Sequence, residues 1–108
     1  MSDWIAVCDL NDIAPDTGVC AALAGEQVAL FRLGNSEQVF AVSNYDPFGK
    51  ANVLSRGIIG SVGEQLVVAS PLYKQHFDLA TGVCLEYDEV SLKTFQVKVE
   101  NDQILLAA

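Results

Sequence analysis

The side chains able to do chemistry are few: one histidine, His76, three cysteines, Cys8, Cys20 and Cys84, and fourteen acidic residues. A zinc site needs closely spaced ligands such as Cys-x-x-Cys, and a disulfide framework needs an even number of cysteines. These three cysteines are odd in number and far apart, so they read as free thiols buried as small hydrophobes, with no disulfide partner. His76 precedes Phe77 in an apolar stretch, where an imidazole is first a surface or half-buried structural group and only secondarily a proton relay. Asp46, followed by Pro47, reads as a turn or loop cap, and nothing in the spacing brings it to Asp78 or Asp88 as a carboxylate pair. There is no Gly-rich phosphate loop, no Gly-x-Ser-x-Gly and no His-Glu-x-x-His. These residues assign no catalytic, cofactor-binding or metal-ligating group.

The elements that must carry such residues are short strands. Segments rich in Val, Phe, Leu and Ile fall at residues 4–8, 18–23, 27–33, 39–43, 66–70, 75–79, 91–100 and 103–106, several alternating in apolar character. Turn residues separate them at 24–26, 34–36, 81–82 and 101–102. A strand roughly every ten residues is the rhythm of an antiparallel sandwich or small barrel, so the fold class is all-β. The clearest hairpin joins residues 95–100 to 103–106 through Asn101-Asp102 and closes a sheet. Only residues 10–15 and 51–55 have the makings of a helical turn. Two polar excursions interrupt the pattern, at 44–52 and 70–74, each directly after a strand. Loops on a rigid β scaffold are where a small domain carries its function.

The chain has 108 residues, the size of one domain, and 51% of them are hydrophobic, enough for a core without metal or disulfide support. Six basic against fourteen acidic residues give a net charge of −8, which repels phosphate backbones and anionic lipid, so nucleic acid and membrane are excluded as partners. That charge serves solubility first. Docking on a basic protein surface is the alternative, with residues 86–89 the densest acidic stretch. The start Met1-Ser2-Asp3-Trp4 has no basic run and no long apolar segment, and a cytoplasmic location is expected.

The two excursions carry a family likeness. Asp46-Pro47-Phe48, after the strand at 40–43 and before Leu54-Ser55-Arg56-Gly57, resembles the first ligand box of Rieske iron-sulfur proteins, Cys-Pro-His followed by Leu-x-x-Gly. Ser70-Pro71-Leu72-Tyr73-Lys74, running into Phe77-Asp78 and Gly82, resembles the second, Cys-Pro-x-His-Gly-x-x-Phe-Asp-x-x-x-Gly. A Rieske centre takes two thiolates and two imidazoles. The matching positions here are Asp46, Phe48, Ser70 and Tyr73, and one histidine in the whole chain cannot supply two, so the resemblance implies a Rieske-like barrel without its cluster. Trp4, Cys8, Asp12-Ile13 and Thr17-Gly18-Val19-Cys20, together with both boxes, are similar to the small subunits of assimilatory NAD(P)H-dependent nitrite reductases. That likeness implies an accessory, non-catalytic chain with no cofactor of its own. Its partner would be a large subunit holding FAD, siroheme and an iron-sulfur cluster, and Phe48, Pro71, Leu72 and Tyr73 would be the docking anchors. A ligandless regulatory or binding module of another oxidoreductase is the alternative.

Overall fold

The computed structural model of the chain describes residues 3–72 and 74–107, and Tyr73 lies outside them. Among the described residues, eleven strands form four antiparallel sheets. β1 (Trp4–Asp9), β11 (Gln103–Ala107) and β10 (Val97–Glu100) make the first, in that order. β2 (Gly18–Leu23), β3 (Glu26–Arg32) and β4 (Val39–Ser43) make the second, and β7 (Ile58–Val62), β8 (Gln65–Ala69) and β9 (His76–Asp78) the third. The two-residue strands β5 (Tyr45–Asp46) and β6 (Ala51–Asn52) pair across the first excursion.

The second sheet lies between two cores, and the period-2 alternation of its strands divides the side chains between them. Val28 and Leu30 of β3 and Val39 and Ala41 of β4 pack with Ile104 and Leu106 of β11. Ala29 and Phe31 of β3 and Val42 of β4 pack with Val68, Phe77, Leu79 and Leu92 on the other side. Covered on both faces, β3 is buried from Val28 through Arg32, which is why it reads as an unbroken apolar run. Arg32 ends that run with no carboxylate partner among the described residues. Its guanidinium donates instead to the backbone carbonyls of Leu10, Ile13, Asn35 and Ser36 at 3.1–3.3 Å.

The hairpin β10–β11 forms as expected, and its two-residue turn has positive φ at both Asn101 (51°) and Asp102 (62°), the turn whose twist matches paired strands. The stretch expected as one strand from 91 to 100 is shorter. Residues 91–96 make only isolated bridges, Val83 to Ser91 and Val42 to Thr94, before β10 begins. Leu92 is buried in the second core while Phe95 leans on the first, so this segment crosses between layers instead of lying in one sheet. β7 is a strand that the sequence pattern does not mark. Its edge position leaves Ile58, Gly60, Ser61 and Val62 exposed, and Gly60 breaks the apolar alternation. The two helical turns are single 3-10 turns, Leu10–Asp12 and Leu54–Arg56. Among the described residues, no helix is long and apolar enough to cross a membrane.

The cysteines need one correction. Cys84 is buried and Cys8 half-buried, but Cys20, on edge strand β2, is exposed. Burial pushes the Cys84 and Cys8 thiols above their ordinary range, and the Asp12 and Asp9 carboxylates raise Cys8 further. A thiol reagent must reach the sulfur, so at pH about 8 it is expected to label exposed Cys20 first, half-buried Cys8 more slowly and buried Cys84 only on unfolding. Mass-spectrometric mapping of the first labelled peptide checks this.

Candidate functional site

The site is built where the excursion after β4 meets the turn between β8 and β9. Asn44 anchors the first. It is 2% exposed, its Nδ2 donates to Asn52 O and Gln27 Oε1 at 3.1 Å each, and its Oδ1 accepts the Ser55 amide at 2.7 Å. Its backbone exchanges further bonds, Asn44 N to Gln27 O and Leu54 N to Asn44 O. One amide side chain therefore ties both ends of the loop to the central sheet, using nearly all of its hydrogen-bonding capacity.

Asp46 and Ser70, which occupy the two cysteine positions of the boxes, are buried at 0% and 1% exposure and joined directly, Ser70 Oγ donating to Asp46 Oδ2. Asp46 Oδ1 accepts the Phe48 amide at 2.9 Å, and Ser70 Oγ accepts the Leu72 amide at 3.3 Å. The pair thus caps both loop tips from within. Closure of the second turn is completed by Ser70 N donating to Gln75 O and Lys74 N donating to Ser70 O. The loops also touch where Gly49 meets Leu72, since a Cβ at Gly49 would collide with the leucine side chain.

Phe48, at the first histidine position, turns part of its ring inward. Its centroid lies 6.1 Å from that of Phe77 and 5.4 Å from that of Tyr87, both tilted, within the favourable range for aromatic pairs. Pro71 and Leu72 are exposed. Tyr73, at the second histidine position, is among the residues not described. His76 is half-buried, as its sequence context implied, and both its Nδ1 and its backbone amide meet Glu86, at 2.7 and 2.8 Å. Burial is the largest influence on the Glu86 carboxyl and raises it, yet the bonds from His76 outweigh that and hold it below its usual range.

Asp78 closes the following turn. Oδ1 accepts the amides of Ala80 and Thr81 at 2.8 and 3.0 Å, and Oδ2 accepts Gln65 Nε2 at 2.9 Å. Burial pushes this carboxyl up, but the combined hydrogen bonds from Thr81, Gln65 and Ala80 bring it below the ordinary value. A lowered folded-state pKa contributes stability above the unfolded-state value, near pH 4, and loses it as pH falls through the folded-state value. Melting temperatures of the chain and of Asp78→Asn are expected to differ at pH 6 and to converge as pH falls through the folded-state value.

The structure brings Asp46 and Ser70 together and adds partners that the sequence does not mark. Asn44, Tyr87 and the bond between Asp46 and Ser70 carry no local signal, because each depends on contacts between residues more than ten positions apart. Among the described residues no three His, Cys, Asp or Glu side chains converge as a metal-binding group. The donor set does not fit a two-iron cluster: a carboxylate and a hydroxyl bonded to each other stand at the thiolate positions, and a phenyl ring stands at one imidazole position.

Residues 3–107 match the family of the Rieske-like [2Fe-2S] domain. The chain is 49% identical over 106 residues to the nitrite reductase (NADH) small subunit of Escherichia coli (strain K12), covering 98% of each. The solution structure of the Escherichia coli protein NirD superposes with a TM-score of 0.92 at 48% identity, covering 100% of this chain and 98% of that one. A segment of the nitrite reductase [NAD(P)H] large subunit of Klebsiella oxytoca is 44% identical over 101 residues, 94% of this chain but 10% of that protein. With its strand order, its paired boxes and these full-length similarities, the chain belongs to the Rieske-like domain family and, within it, to the nitrite reductase small subunits.

Proposed function

We propose that the chain is the accessory, non-catalytic subunit of an NAD(P)H-dependent nitrite reductase, acting by docking on the large subunit through its two box loops. The observation that carries this reading is the bond between Asp46 and Ser70: at the two positions where the family's thiolates would stand, a serine and an aspartate join the loops directly. Full-length similarity to nitrite reductase small subunits supports the choice of complex. The chain holds no cofactor of its own; FAD, siroheme and an iron-sulfur cluster belong to the large partner. Pro71 and Leu72 form the outer contact, Tyr73 is assigned with them from its position in the sequence, and Phe48 props the tip from beneath while offering its outer edge. Cells lacking this chain are expected to lose NAD(P)H-dependent nitrite reduction and to regain it on re-expression. The purified chain is expected to contain no stoichiometric iron and no visible charge-transfer bands. Full activity in the deletion strain would end the accessory-subunit reading, and stoichiometric iron would end the cofactor-free one.

A further inference from the structure

The chain carries net charge −8, yet its uncommitted positive charge falls on and beside the two box loops. Of six basic residues, Lys93 pairs with Glu26 and Lys98 with Glu100, while Arg32 is buried on backbone carbonyls. The other three, Lys50, Arg56 and Lys74, form no ion pair among the described residues, and they stand on the first box loop, the adjoining 3-10 turn and the second box loop.

Two of them occupy positions the backbone disfavours. Lys50 has φ 56° and Lys74 φ 63°, the left-handed region that glycine enters freely and a side chain enters at a cost. Beside Lys74, the residues Arg56, Ile58, Ala69, Pro71 and His76 bound an open hollow of about 410 Å³. Ile58, 77% exposed, is the most solvent-open large hydrophobic side chain described. The acids bonded to residues of its wall are occupied: Glu86 by His76, and Asp46 by Ser70.

We propose that this hollow receives an acidic segment of the large subunit, an apolar side chain seated against Ile58 and Pro71 with flanking carboxylates meeting Arg56 and Lys74. This rests on the docking reading above. It also reverses what net charge alone implies, since an acidic chain would meet its partner through cations.

The test uses the purified full chain and the purified large subunit. Arg56→Glu, Lys74→Glu and Ile58→Asp are each expected to weaken the complex at least tenfold, Lys98→Glu to leave it unchanged, and wild-type affinity to fall with rising salt. Lys74→Gly is expected to raise the melting temperature while weakening binding, which a lysine serving only the loop fold would not do. Zero-length carbodiimide coupling is expected to join Lys74 to an Asp or Glu of the large subunit. A complex of unchanged affinity in the three variants, with no such adduct, overturns the acidic-segment proposal and leaves docking intact. No complex with wild-type chain overturns both. A concentration-dependent homodimer abolished by Ile58→Asp assigns the hollow to a second copy, and also overturns it.

Discussion

Replacing Asp46 with alanine is expected to destabilise the folded chain by about 3 kcal/mol, because a buried donor, Ser70 Oγ, and a partly buried one, the Phe48 amide, lose their acceptor together. For a domain of this size that is a fall in Tm of roughly 15 °C, followed by far-UV circular dichroism. Ser70→Ala removes one donor and leaves one carboxylate oxygen unmatched, for about 2 kcal/mol. Asp46→Asn keeps an acceptor for the Phe48 amide and gains a donor toward Ser70 Oγ, so its cost is expected to be about 1 kcal/mol. That order, with Asp46→Ala the worst and Asp46→Asn the mildest, is the signature of a hydrogen-bonded latch. Equal losses for the two substitutions would mean that formal charge, and not the paired geometry, holds the loops.

Phe48→Ala is expected to cost about 2 kcal/mol, below the range for a fully buried phenylalanine because the ring is half-buried, with loss of its packing on Phe77 and Tyr87. Leu72→Ala is the contrasting variant. At 46% exposure it is expected to leave Tm within about two degrees, and to weaken the complex with the large subunit about tenfold if the tip is a contact hot spot. Measuring Tm and Kd on both variants separates a prop from an anchor. A Phe48→Ala chain with unchanged Tm and collapsed affinity would transfer the anchoring role to the phenylalanine.

Much of the fold is legible because its determinants are local. The strands at 18–23 and 39–43 have the bounds that alternation gives, and Asn101-Asp102 declares its turn by residue type alone. Where the sequence misleads, the cause is distance along the chain. Leu92 and Phe95 look like successive residues of one strand until two separate cores draw them apart. β7 hides because an exposed edge strand has one face too few to show a pattern. Average cysteine behaviour places Cys20 inside, whereas β2 is an edge strand that turns it outward. At the site, Asp46, Phe48, Ser70 and Tyr73 are identifiable by position within the boxes, but residues twenty-four apart give no sign that Asp46 and Ser70 grip one another.

The pairing of β1 with β11 sets Trp4 opposite Ala107. Entry and exit of the polypeptide therefore run side by side along one sheet, and a few linker residues suffice to splice this unit into the interior of a longer chain. The same adjacency allows circular permutation: Trp4 and Ala107 can be bridged and new ends opened at the exposed turn around Gly63, with the box loops and both cores untouched.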